Sequence, residues 1–214
     1  DASHRSLGEQ FASRTVKKKY LALVHGNVPK DNGTIDAPIS RDTLRRIRMT
    51  TRRTGGREAV SHWKVLRRIE SAYGKFTLVE VKIDTGRTHQ IRVHMASIGH
   101  PVVGDTLYGA PREIKPLEPT ALRGKKPAKP RRAARPKSVT SADAKPGIET
   151  SRNAERLALT RNFLHAAAVE FLHPRTTERL SFSCPLPQEL EWFLKQLECK
   201  QPEQSDVGAS GAST

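Results

Sequence analysis

Hydrophobic side chains recur along this chain with two periods, and the change from one to the other divides it into elements. Over residues 3–16, Leu7, Phe11 and Ala12 fall at helical spacing behind a capping Ser3. Residues 17–26 alternate instead. Tyr20, Ala22 and Val24 share one face while Leu21 and Leu23 share the other, so both faces are largely apolar and the strand belongs inside a sheet. Asp31-Asn32-Gly33 marks a turn, and residues 33–39 read as extended. Two further strands, 59–69 and 75–83, are joined by a turn at 71–74. Ile91, His94, Met95 and Ile98 are spaced for a short helix that Gly99 ends. Residues 167–172 and 179–184 make a hairpin about His173-Pro174. Pro187 then opens a helix to about residue 199, whose stripe of Leu190, Phe193, Leu194 and Leu197 reads as core. The pattern predicts an α+β fold with a mixed, mainly antiparallel sheet flanked by helices.

Two stretches lie outside this pattern. Residues 41–53 carry Arg41, Arg45, Arg46, Arg48, Arg52 and Arg53 against the single acid Asp42, and read as a basic hairpin or loop. Residues 123–137 hold eight basic residues, three prolines and no acid. Such a segment buries too little apolar surface to offset its ordering entropy, so 111–153 is expected to be a largely disordered insertion. The expected organisation is one domain formed by residues 1–110 and 154–200, interrupted by that insertion and followed by a flexible tail at 201–214.

Charge sharpens the picture. The chain of 214 residues has 38 Lys and Arg against 22 Asp and Glu, a formal net charge of +16. An excess of that size favours a polyanionic partner, nucleic acid above all, because each neutralised phosphate releases counterions. Cys184 and Cys199 are the only cysteines, too few for a disulfide framework or a zinc quartet, and point to a reducing cytoplasm. No apolar run approaches the length of a membrane span, and the first residues do not resemble a signal peptide.

Candidate chemistry concentrates at residues 86–94, Gly-Arg-Thr-His-Gln-Ile-Arg-Val-His, followed by Gly99-His100-Pro101 and Gly104-Asp105-Thr106-Leu107-Tyr108-Gly109. Arg87, Thr88, His89, Gln90, Arg92 and His94 crowd eight positions in which only Ile91 and Val93 are apolar. Neither a core helix nor an ordinary surface helix asks for this set. Fixed-geometry donors beside a glycine suit an anionic or hydrogen-bonding ligand. His89 and His94 are five apart and do not align as a metal pair on a helix, and the chain has no phosphate-binding glycine loop, nucleophile elbow or dinucleotide fingerprint.

Four motifs then carry a resemblance. Lys18-Lys19-Tyr20-Leu21-Ala22-Leu23-Val24, the run from Thr85 to His94, His100-Pro101-Val102-Val103-Gly104-Asp105, and Leu164-His165-Ala166 with Phe171-Leu172-His173-Pro174 and Pro185-Leu186-Pro187 occur in the order found in RluA/RluC/RluD-type pseudouridine synthases. The resemblance spans residues 1–197, apart from the basic insertion. It implies isomerisation of uridine to pseudouridine in structured RNA, with neither metal nor organic cofactor. The base is flipped into a pocket, an aspartate attacks sugar or base, the glycosidic bond breaks, the uracil rotates and a carbon–carbon bond forms. Ribosomal RNA of the large subunit is the favoured substrate, transfer RNA the alternative, and a monomer is expected.

By the same resemblance, Tyr20 matches the tyrosine that packs on the flipped base; its plain alternative is an ordinary sheet tyrosine. Arg92 matches the arginine paired with the catalytic aspartate, a task for which a bidentate guanidinium is better shaped than Lys. Arg87, His89 and Gln90 are assigned to the pocket rim or to RNA phosphate. Leu164 stands where an apolar residue meets the uracil, or is plain core. His94 divides evenly between a structural and a site role, and Asp105 is read as holding the turn after the helix.

One motif is not matched. The nucleophile of such enzymes lies in Arg-Leu-Asp followed by Thr-Ser-Gly, ahead of the first helix. Asp1 aligns after that motif, and Asp36, Asp42 and Asp84 have other surroundings. The expectation is therefore an N-terminally truncated catalytic domain, inactive alone. The alternatives are a non-catalytic RNA-binding protein on the same scaffold and a ribosome-associated protein whose insertion does the binding. Deleting residues 123–137 separates the last from the others in an RNA titration. The scaffold readings expect affinity to survive with a shallower salt dependence, whereas abolished affinity would assign binding to the insertion.

Overall fold

The structure, a computed structural model, describes residues 2–43, 45, 47–51, 55–117 and 156–199. The expectations for 118–153 and for the 201–214 tail lie outside the described residues. In chain order the elements are α1 (Ala2–Ala12), β1 (Lys17–His25), β2 (Asn32–Asp36), β3 (Ile39–Arg41), β4 (Met49–Thr51), β5 (Val60–Ser71), β6 (Gly74–Ile83) and α2 (Gln90–Ser97). A 3₁₀ turn at Thr106–Tyr108 follows, then β7 (Glu113–Ile114), β8 (Leu157–Ala158), β9 (Leu164–Leu172), β10 (Arg179–Ser183) and α3 (Gln188–Cys199).

Six strands form the main sheet in the order β10-β9-β1-β6-β5-β2, and every pairing in it is antiparallel. The apolar strand 17–26 is interior, as its two-sided pattern requires: Ala22, Leu23 and Val24 are fully buried. The stretch 33–39, expected to be one extended piece, breaks at Ala37-Pro38. Its first part pairs with β5, and β3 leaves to pair with β4. The arginine-rich stretch is accordingly a hairpin. A small second cluster of Ile39, Ala59, Val93 and Tyr108, flanked by Met49, Ala96 and Leu107, seats that hairpin on α2.

Order also extends into the expected insertion. Glu113 and Ile114 pair with Ala158 and Leu157, and Ile114 and Leu157 are buried in the main core. Two short strands meeting this way bring residues 114 and 157 together. α3 carries the expected stripe, with Leu190, Phe193, Leu194 and Leu197 buried and the Phe193 ring 6.2 Å from that of Phe163. α1 differs: none of its side chains is buried, and Phe11 is 58% exposed. Among the described residues no helix is long and apolar enough to cross a membrane.

What places the site is a clip between distant segments. Val103 donates its N–H to Leu23 O at 2.9 Å, and Phe163 donates to Val103 O at 2.8 Å, so residues 102–103 are held between β1 and the start of β9. Gly104 follows at φ +77°, a conformation that L side chains rarely adopt, and a Cβ there would lie 2.6 Å from the Arg161 carbonyl oxygen. Replacing Gly104 with Ala is expected to cost about 2–4 kcal/mol. The check is a lowered denaturant midpoint at unchanged slope.

Candidate active site

Between β6 and α2 the chain turns through Thr85, Gly86, Arg87, Thr88 and His89, and a buried polar chain fixes this turn to β5. Thr85 Oγ1 accepts the Val60 N–H at 3.0 Å and donates to Gln90 Oε1 at 2.8 Å. Gln90 Oε1 also accepts the Arg87 N–H at 3.0 Å, while Nε2 donates to Val60 O at 2.8 Å and Ser61 Oγ at 3.0 Å. Ser61 in turn donates to His94 Nδ1 at 2.9 Å, and His94 Nε2 donates to Ala37 O at 3.0 Å. Thr85, Gln90, Ser61 and His94 are all buried, and each hydrogen bond supports the next.

Two sequence readings change here. Gln90, assigned above to phosphate or the pocket rim, is only 3% exposed, and both amide hydrogens and both carbonyl lone pairs are occupied within the protein. It seats α2 and has no donor left for a ligand. Of the two readings of His94, the structural one matches its geometry: the ring is fully buried, both nitrogens are spent, and burial pushes its pKa below the usual imidazole range.

Arg92 sits one turn further on. Its Nε and Nη2 meet the two carboxylate oxygens of Asp105 at 2.6 and 2.8 Å, a fork-on-fork ion pair. The Asp105 side chain is 1% exposed and that of Arg92 18%, so the pair is shielded from one side and open on the other. The hydrogen bond to Asp105 raises the arginine pKa further. Nη1 has no hydrogen-bond partner among the described residues. Asp105 does hold the turn, since its carbonyl accepts the N–H groups of Tyr108 and Ala110, both at 3.1 Å. That same turn aims its side chain at Arg92, which sequence reasoning missed. The signal was present in Gly104-Asp105 standing next to the arginine motif.

Tyr108 completes the support. Its ring lies 5.0 Å from the Arg92 guanidinium and 5.3 Å from that of Arg48. Its hydroxyl accepts the Met49 N–H at 2.9 Å and hydrogen-bonds His89 Nδ1 at 3.0 Å. His89 is held at φ +56°, a left-handed conformation uncommon for a residue with a Cβ, and burial together with the Arg92 charge lowers its pKa. One phenol thus ties the arginine hairpin, the helix entry and Arg92 together. Arg87 is half-buried, and its Nε donates to Glu58 O at 3.0 Å.

Tyr20 and Leu164 lie on the sheet. Tyr20 pairs with Val81 on one side and Ala166 on the other, and Leu164 pairs with Ala22. Val81 pairs with Trp63, two residues along β5 from Ser61. Directly paired residues share a face and alternate residues return to it, so Tyr20, Leu164 and Ser61 lie on one face, the face that α2 is bonded to. Two strand spacings separate β1 from β5, about 10 Å. Tyr20 and Leu164 are both half-buried, and burial raises the Tyr20 phenol pKa, so it carries its proton at neutral pH.

The chain is similar to known proteins over most of its length. Residues 1–97 match the family model described as RNA pseudouridylate synthase. A Bacillus subtilis protein, Uncharacterized RNA pseudouridine synthase YlyB, is 38% identical over 92% of this chain and 49% of its own length. Ribosomal large subunit pseudouridine synthase D of Pseudomonas aeruginosa is 36% identical over 96% of this chain and 52% of its own. The chain therefore spans about half the length of these curated relatives. Among solved structures, Human RNA Pseudouridylate Synthase Domain Containing 1 aligns with a TM-score of 0.56 and 24% identity, over 92% of this chain and 71% of that one, which speaks for the fold.

The buried polar chain has a pH signature. An unfolded histidine titrates near 6.5, and His94 titrates lower when folded, so below about pH 6.5 the unfolded state takes up protons that the folded state refuses. The stability held above that pH is lost as pH falls toward the folded pKa. Denaturant titrations between pH 7.5 and 5 are expected to show this decline, and a flatter one in His94→Gln.

Proposed function

Since this chain belongs to the RNA pseudouridine synthase family, we propose that it forms the Tyr20–Arg92 side of a pocket that isomerises uridine to pseudouridine in structured RNA. Large-subunit ribosomal RNA is the favoured substrate, the activity named for the Pseudomonas aeruginosa relative, and the proposed setting is a cytoplasmic monomer. The observation that carries this reading is the Arg92 fork. Asp105 and the Tyr108 ring hold the guanidinium while Nη1 has no partner among the described residues and the group remains partly open. A guanidinium with one free edge, anchored by α2 to the sheet face that carries Tyr20 and Leu164, suits the orientation of a carboxylate nucleophile or a uracil carbonyl. Tyr20, protonated and without a hydrogen-bond partner among the described residues, offers a ring to the flipped base and a hydroxyl to proton transfer. The nucleophile in this proposal is an aspartate of an Arg-Leu-Asp segment outside these 214 residues.

One observation favours a second reading, non-catalytic RNA binding on the same scaffold: Asp105 already neutralises Arg92 without any further carboxylate. A chimera decides between them. This chain replaces the matching residues of the Bacillus subtilis relative, and pseudouridine formation in an unmodified large-subunit RNA transcript is followed by mass spectrometry of nucleosides. The chain alone is expected to give none. The chimera is expected to give product, with kcat/KM lowered roughly a hundredfold or more by Arg92→Lys, which cannot reproduce the fork. A chimera that binds the transcript and forms no product would leave the binding reading.

A further inference from the structure

Three consecutive lysines open β1, and they have different fates. β1 pairs with β6 over Lys19–His25 and with β9 over Lys17–Ala22; the one register shift there, between Lys19 and Tyr20, puts the extra residue, Ala167, on β9, so β1 itself keeps its alternation from Lys17 onward. Lys17 and Lys19 point away from the Tyr20 face. There Lys17 stands 3.9 Å from Glu170, its pairing neighbour on β9, and Lys19 stands 3.2 Å from Glu80 on β6. Both are ordinary cross-strand ion pairs on an open sheet face, worth little each.

Lys18 lies on the other face, beside Tyr20 and two residues before it. It is half-buried, has no carboxylate within ion-pair distance among the described residues, and places its ammonium 5.9 Å from the Phe11 ring of α1. Desolvation lowers its pKa, and the attraction of Asp84 offsets this in part. Asp84 itself is engaged 2.9 Å from His62 Nε2. Lys18 also lines a cleft of about 600 Å³ at this end of the sheet, where five cations (Arg14, Lys17, Lys18, Lys19 and Lys82) outnumber the two acids, Asp84 and Glu170. A cation partly withdrawn from water, with no direct ion pair among the described residues, gains from an anion that arrives.

We propose that Lys18 is an RNA-binding residue that takes a backbone phosphate next to the nucleotide held at Tyr20, while its neighbours Lys17 and Lys19 stabilise the sheet. This rests on the RNA reading of the preceding subsection and adds the contact that fixes the strand relative to the pocket. The α1 helix places the exposed Phe11 ring 5.9 Å from the ammonium, a weak attraction that leaves its charge available.

The test is the binding of a uridine-containing stem-loop oligoribonucleotide to the intact chain, followed by fluorescence anisotropy at several salt concentrations. Lys18→Met is expected to weaken binding severalfold and to make the salt dependence shallower by about one phosphate's worth. Lys18→Arg should restore both, because only the charge at that point is needed. Lys17→Met and Lys19→Met should leave the salt slope unchanged, and equal thermal midpoints across the four variants would show that folding is not being measured. A Lys18→Met slope equal to wild type, or one matched by Lys17→Met, overturns the assignment while leaving the RNA reading intact. A wild-type chain that does not bind the oligoribonucleotide overturns the RNA reading itself.

Discussion

The buried polar chain that runs from Thr85 through Gln90 and Ser61 to His94 and the Ala37 carbonyl is the constraint on which the candidate site depends. It joins four segments: the end of β6, the start of α2, the start of β5 and the bend where the chain leaves β2 for the arginine hairpin. Because every donor and acceptor in it is used, α2 can sit on β5 in one orientation only, and a partly satisfied arrangement would cost more than an apolar one. That orientation decides where Arg92 emerges. Asp105 and Tyr108 then act on an arginine already placed, fixing its plane and leaving one edge free.

Charge is distributed to match. Several of the described basic side chains are paired with acids locally, as in Arg14–Glu58, Arg67–Glu198, Arg68–Asp31 and Lys75–Glu70. Exposed pairs of this kind add little stability, but they remove cations from competition for a polyanion. Arg92 and Lys18 differ from them in being partly withdrawn from water while keeping donors available. Tyr108 carries the same logic into the hairpin, where its ring meets Arg48 as well as Arg92, so that a contact at the hairpin and the pocket arginine share one support.

The strands were legible in the sequence because their hydrophobic period is local. The two-sided apolar run at Lys17–His25 could only be an interior strand, and the stripe on Gln188–Cys199 could only be a buried helix face. The errors came where a residue's meaning depends on what lies across from it. Gln90 looks like a ligand donor in a list of polar residues, and becomes a fastener once Ser61 and Val60 stand beneath it; His94, which the sequence left evenly divided, turns out to be one too. Asp105 looks like a turn residue until the turn is folded against α2.

By itself, then, the sequence determined the element types, the core stripes, the basic character and the family motifs, all of which are set by residue chemistry over short spans. The tertiary structure alone decided which of six crowded polar side chains in 87–94 turn inward and which remain for a ligand. That division follows from hydrogen-bond satisfaction in a buried space. A polar group facing a matching strand atom is consumed there, and one facing open solvent keeps its donors, and no spacing along the chain carries that information.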